Sequence, residues 1–234
     1  MSKRPGGELA ARPLHFIWVA DCSGSMSVDG KMESLNNAIR EAIPHMRDVA
    51  DENPNAEIQI RVLTFSDGAQ WHVSKPEPIA SFKWTDLTAD GVTDMGRALT
   101  MLADQLKIPP MTDRALPPVL VLISDGQPTD DFDTGLKALM AQPWGKRAVR
   151  VAIAIGKDAN LDVLEKFIGN KELKPLQANS PEALIKQIRF VSTAVLKSAS
   201  SPASQTSGTV SPGTNIPIPA PPVTDTSSAD DDVW

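Results

Sequence analysis

Asp21-Cys22-Ser23-Gly24-Ser25-Met26 follows directly on the apolar run Leu14-His15-Phe16-Ile17-Trp18-Val19-Ala20. The run is short, β-branched and aromatic, which suits a strand buried on both faces of a sheet. Past its end, oxygen-bearing side chains stand at alternate positions: Asp21, Ser23 and Ser25. Alternate spacing in an extended or looping backbone can aim all three at one point. One carboxylate and two hydroxyls favour a hard cation of the Mg²⁺ type over zinc, which prefers nitrogen and sulfur. Alone, the pattern also suits a capped turn, because Asp and Ser are common N-caps and Gly24 is ordinary turn chemistry. Partners elsewhere in the chain must decide.

Working outward, Met32, Leu35, Ala38-Ile39, Ala42-Ile43, Met46 and Val49-Ala50 recur at helical intervals, with Pro44 expected to kink or break the helix. Ala56 to Phe65 reads as a strand. Ser66-Asp67-Gly68 turns it into Ala69–Val73, an antiparallel partner at the sheet edge. Ser81–Trp84 is a short extended piece. Gly91-Val92-Thr93-Asp94-Met95 leads into a helix carrying Leu99, Leu102 and Leu106. The unbroken run Val119–Ile123 is a central parallel strand delivering Ser124-Asp125-Gly126 at its end. A helix over Phe132–Met140, a strand over Val149–Ile155 and a helix over Leu161–Ile168 follow. Then come a short extended segment, Leu173–Leu176, and a last helix opened by the N-cap Ser180 and Pro181.

Strands alternating with helices predict an α/β fold: a doubly wound, mostly parallel sheet flanked by helices, with one antiparallel edge strand. Ligands of such sheets bind outside the carboxyl ends of the strands. Asp21 and Asp125 both fall just past strand ends and Thr93 sits at a helix start, so all three pieces can meet at one edge.

Composition limits the choices. The formal charge of −6 argues against a nucleic-acid binder. One cysteine, Cys22, allows no internal disulfide and no Cys-based zinc site, and fits a reducing compartment. No run approaches the length of a membrane span, and Leu14–Ala20 is too short for a signal peptide's apolar core. The expectation is a soluble, cytoplasmic protein. Residues 1–13 read as a flexible lead-in, 14–197 as the folded domain, and 198–234 as a disordered tail. That tail has six prolines, many Ser and Thr, no Lys or Arg, and the acidic stretch Asp230–Asp232 before Trp234.

Taken together, Asp21-x-Ser23-x-Ser25, the isolated Thr93 and the distant Asp125 resemble a von Willebrand factor A domain with a complete metal-ion-dependent adhesion site. Val92 stands where that family often has glycine. The resemblance covers about residues 14–197. It implies Mg²⁺, with Mn²⁺ or Ca²⁺ as alternatives, held by Ser23, Ser25 and Thr93, with Asp21 and Asp125 in contact directly or through water. An open position would take a partner protein's Asp or Glu carboxylate. This is binding chemistry, and no enzyme is expected. The strings Gly91-Val92-Thr93-Asp94-Met95-Gly96-Arg97-Ala98-Leu99 and Ile123-Ser124-Asp125-Gly126-Gln127-Pro128-Thr129-Asp130 are similar to those of cytoplasmic bacterial members like the tellurite-resistance protein TerY. That similarity implies a scaffold in signalling or stress response, alongside a Ser/Thr kinase and a metal-dependent protein phosphatase. The alternatives are a substrate adaptor for an AAA+ ATPase and, less favoured, a metal-dependent hydrolase.

Bland readings stand beside the sharper ones. Cys22 is a redox switch or simply a small residue at a variable position. Trp71 and Trp84 are partner anchors or caps on the core. His15, His45 and His72 are scattered and form no catalytic set. The tail is a phosphorylation platform or a passive solubiliser, and its acids could fill the open metal position in cis.

Overall fold

A computed structural model describes residues 11–200, 209–210, 217–221 and 234. Six strands form one sheet: β1 (Arg12–Asp21), β2 (Ala56–Ser66), β3 (Gly68–Pro78), β4 (Val119–Ser124), β5 (Val149–Ile155) and β6 (Leu176–Ala178). Their spatial order is β3-β2-β1-β4-β5-β6, and every pair is parallel except β2 with β3. The expected doubly wound sheet with one antiparallel edge is therefore present. The order reverses at β1, so the loop after β1 and the loop after β4 diverge from neighbouring strands and open a crevice between them.

Alternation along β1 divides the core. Phe16, Trp18 and Ala20 face one layer, made by α1 (Lys31–Glu52), α6 (Pro181–Phe190), a π-helical turn (Val191–Val195) and α7 (Leu196–Ser200). Ile17 and Val19 face the other, made by α2 (Met95–Gln105), α3 (Phe132–Ala141), α4 (Pro143–Arg147) and α5 (Leu161–Ile168). Trp18 and Phe16 are fully buried with their rings edge to face at 4.8 Å. Both faces of the strand being covered is the physical reason the run is apolar throughout.

Three expectations change. Helix α1 runs unbroken through Pro44, because Leu35, Ile39, Ala42, Ile43, Met46 and Val49 along its buried face hold it against the sheet and outweigh the lost backbone bond. The Ser81–Trp84 piece forms no strand. Phe82 is buried instead, and the guanidinium of Arg47 donates to the carbonyls of Ile79 and Phe82. The expected unstructured segment from 198 meets structure at four places: α7 continues to Ser200, Thr209–Val210 pairs antiparallel with Pro217–Ile218, Ile218 is 5% exposed against the core, and Trp234 packs on the same layer. The lead-in over residues 1–10 and the remaining tail lie outside the described residues. Trp84 donates its indole N–H to Asn36 Oδ1 at 3.0 Å, and Trp71 lies 3.7 Å beneath the Arg61 guanidinium, so both cap the core.

Candidate metal centre

The loop after β1 is built from the backbone outward. Cys22 N donates to Phe65 O at 2.8 Å, carrying the β1–β2 ladder one step past Asp21. A 3-10 segment (Gly24–Gly30) then begins, and Met26, fully buried, plugs it into the core. With Met26 and Cys22 turned inward, Ser23 and Ser25 are left to face the crevice.

Asp21 is fully buried. Its Oδ1 accepts from Ser23 N at 2.8 Å and its Oδ2 from Ser124 Oγ at 2.6 Å, which ties the ends of β1 and β4 together. Burial pushes its carboxyl above the usual range, opposed by the hydrogen bonds from Ser124 and Ser23. Ser23 Oγ lies 3.0 Å from Ser25 Oγ, and Ser25 Oγ donates to Asp125 Oδ1 at 2.7 Å. The other oxygen of Asp125 accepts from Lys31 Nζ at 2.8 Å.

Thr93 arrives on the loop before α2, and three stitches position it. Its N–H donates to Thr129 Oγ1 and its carbonyl accepts from Thr129 N, at 3.0 and 2.9 Å. Gly24 N donates to Gly91 O at 2.9 Å, binding this loop to the β1 loop. Val92 N donates to Asp67 Oδ1 at 2.9 Å. Gly91 has φ +83, and a Cβ there would sit 2.7 Å from the Asp67 carboxylate, so no other residue fits this turn. The glycine that Val92 replaces is not needed here, because Val92 points to solvent at 46% exposure.

All five residues singled out by sequence therefore come together at the carboxyl edge of the sheet. Thr93 Oγ1 and Ser25 Oγ each lie 3.9 Å from the point a Cβ on Gly126 would occupy, which puts both hydroxyls beside the same turn after β4. Thr93 is 6% exposed, and its hydroxyl has no hydrogen-bond partner among the described residues. Also among the described residues, no three His, Cys, Asp or Glu side chains cluster as metal ligands. What this crevice offers is two carboxylates and three hydroxyls. Such an all-oxygen donor set fits a hard divalent cation.

Sequence reasoning missed Lys31. It is the first residue of α1, where the helix dipole disfavours a cation, and that local conflict was its only signal. Lys31 is 9% exposed and neutralises one of the two carboxylates. Ser124 and Thr129, inside the quoted β4 string, are the other missed positioning groups. Cys22 settles on its bland reading: it is buried, and its thiol is pushed up to about 12 by burial and then by the Asp21 charge.

Residues 16–127 match the von Willebrand factor type A domain, a span that contains all five residues. Among solved structures, the chain is similar to a von Willebrand factor type A protein from Catenulispora acidiphila, with 17% identity, TM-score 0.60, and 80% of this chain and 43% of that one covered. It is also similar to the ArnB paralog VWA2 from Sulfolobus acidocaldarius, with 17% identity, TM-score 0.57, and 76% and 45% covered. A third is proximal thread matrix protein 1 from the mussel byssus with a zinc-occupied MIDAS motif, with 21% identity, TM-score 0.58, and 80% and 46% covered. At these identities the likeness is one of fold, and the chain spans less than half the length of each of these structures. No curated protein matches the sequence. Residues 16–127 are thus similar to the von Willebrand factor type A domain, on a sheet whose fold is shared with these structures.

Proposed function

We propose that this chain is a Mg²⁺-dependent protein-interaction module that captures an acidic side chain of a partner protein. The observation that carries the reading is the convergence of the Ser23, Ser25 and Thr93 hydroxyls with Asp125 beside the Gly126 turn. Ser23, Ser25 and Thr93 would hold the ion, with Asp21 and Asp125 acting directly or through water. A divalent cation here supplies a positive centre that can accept a carboxylate. The zinc-occupied site of the mussel protein supports a divalent ion at the corresponding fold position, and the oxygen donors favour Mg²⁺, with Mn²⁺ or Ca²⁺ as alternatives.

Charge explains why a carboxylate is the preferred occupant. Asp21 and Asp125 carry two negative charges and Lys31 returns one, so a divalent ion leaves the crevice net positive. Two exposed apolar side chains, Val28 at 52% and Val92, flank the loops and offer a partner contact surface around that centre.

Non-enzymatic action is part of the proposal. The buried Cys22 thiol is no nucleophile, and both Asp21 oxygens already accept hydrogen bonds. His45 pairs with Asp48, and His72 contacts Thr85 O, both away from the crevice. The cellular setting we favour is a cytoplasmic scaffold in bacterial signalling or stress response beside a Ser/Thr kinase and a protein phosphatase, with an AAA+ adaptor as the alternative. Among the described residues no helix is long and apolar enough to cross a membrane.

The test is thermal melting with and without Mg²⁺, with a lysate pull-down in Mg²⁺ and in EDTA. Mg²⁺ at about 100 times its dissociation constant is expected to add about 2.7 kcal/mol, a rise of about 5–10 °C. The Ser23→Ala/Ser25→Ala protein is expected to lose both the rise and the Mg²⁺-dependent partner. A partner held equally by the double variant in EDTA would remove the metal from the function.

A further inference from the structure

Trp234 is separated from the described core by a long stretch of sequence, yet it makes specific contacts at the rim of the metal crevice. Its indole Nε1 donates to Asp29 O at 2.9 Å, and its backbone N donates to Asn179 O at 3.2 Å, just past β6. Asp29 and Gly30 both take left-handed backbone, with φ 53 and 70, turning the chain sharply before Lys31 at the spot where the Asp29 carbonyl meets the indole. Gly156, φ +77, closes the third side. The point its Cβ would occupy is 3.5 Å from Trp234 Cβ and 3.5 Å from Lys31 Nζ. Trp234 therefore sits across Gly156 from the same lysine that grips Asp125 in the crevice.

We infer that the surface between Asp29, Gly156 and Asn179 is a binding site for a tryptophan side chain, filled in cis by Trp234 and bordering the metal crevice through Lys31. An indole suits this position because it buries a large apolar face while its single N–H finds the one carbonyl offered. Occupation in cis is sterically easy. Ile218 and Pro221 line a pocket of about 220 Å³ with Leu176 of β6, and Asn179 follows that strand directly. The thirteen residues from Pro221 to Trp234 can span more than about 40 Å when extended. A tether of that length gives an effective concentration of order millimolar, enough to keep a weak site filled.

The consequence for function rests on the reading of the crevice as the partner face. An acidic partner approaching the Lys31 side meets Trp234 already seated there. In sequence, Trp234 is preceded by Asp230, Asp231 and Asp232, carboxylates of the class the crevice is proposed to accept. The chain thus carries its own competitor, and a partner presenting acids beside a tryptophan would displace it.

The experiment uses the full chain and its Trp234→Ala variant, with a fluorescein-labelled peptide of residues 225–234 as probe, read by anisotropy in Mg²⁺ and in EDTA. The peptide is expected to bind the variant about tenfold or more tightly than the intact chain, because the cis indole no longer competes. A peptide with alanine in place of the tryptophan is expected to bind neither. Equal affinity for both chains overturns the inference. Should the peptide bind neither chain, hydrogen exchange of the Trp234 indole N–H, assigned through Trp234→Phe, decides: protection supports the cis site and exchange at the free rate overturns it. Indole-dependent binding that is unchanged by EDTA supports the site while counting against the metal reading, so the two can fail separately.

Discussion

The carboxyl edge of the sheet and the row of residues across its middle bury charge in opposite ways. At the edge lie two carboxylates and one ammonium, converging with hydroxyls on a crevice. Four residues back along β1, Ile17 pairs with Arg61 on one side and Leu120 on the other, and Leu120 pairs with Arg150. Both guanidiniums are 6% exposed, and neither pairs with a carboxylate among the described residues. Arg150 is complete in itself: its three nitrogens donate to Phe167 O at 2.7 Å, Gly145 O at 3.0 Å and Ile168 O at 3.2 Å. Those carbonyls lie in α4 and at the end of α5, where helix carbonyls lack intrahelical partners and attract a cation. A buried charge with each nitrogen donating to a backbone carbonyl is architecture. A buried cluster of carboxylates and hydroxyls that keeps the Thr93 hydroxyl unpaired among the described residues is a site.

Removing Arg150 is expected to give the largest effect. Arg150→Met leaves three carbonyls buried without donors and should cost about 3 kcal/mol or more, a fall of about 6–12 °C in melting temperature. Its response to Mg²⁺ should be intact. Loss of the Mg²⁺ response together with stability would collapse the distinction between the two regions.

His15 tests the basic side by pH. It lines a pocket of about 200 Å³ with Arg61 and Lys75, and burial, then the Arg61 charge, lowers its pKa from 6.5 to about 4. The unfolded chain therefore binds the proton first as pH falls. The neutral ring's contribution is full above about pH 6.5 and drains away as pH drops through about 4. Wild type should lose up to about 3 kcal/mol over that window relative to His15→Gln. Parallel pH–stability curves for the two proteins would refute the assignment.

How much of this was legible follows from how local each signal is. Asp21, Ser23 and Ser25 sit together in sequence on the end of an apolar strand, and Asp125 repeats that placement, so strand polarity alone brought them to one edge. The alternation of buried faces in β1 was equally plain. Lys31 was not, because its partner lies 94 residues away and a lysine opening a helix looks like an unfavourable accident. Arg61 and Arg150 read as ordinary strand residues, since Ser74, Gly145, Phe167 and Ile168 contribute backbone carbonyls that no side-chain pattern reveals, and Gln105, the other acceptor of Arg61, is 44 residues away. Ile218 and Trp234 were submerged in the composition of the tail. Averages over a proline-rich stretch say nothing about whether one apolar side chain meets a fitted surface.

The subtlest effect should come from Asp21→Asn, and it separates the two regions by sign. At the basic row, deleting the charge destabilises because backbone carbonyls depend on it. At the acidic edge the buried Asp21 charge is a cost to the metal-free chain, since burial already resists its ionisation. Asparagine keeps the geometry: its oxygen can still accept from Ser23 N, and its amide can donate to Ser124 Oγ. In EDTA the variant should therefore melt higher, by about 2–4 °C for a gain of about 1 kcal/mol. In Mg²⁺ it should gain less than wild type, so the two melting curves draw together or cross. A variant that melts lower than wild type in EDTA would mean that Asp21, like Arg150, is held for the fold. Its charge would then have nothing to do with a cation.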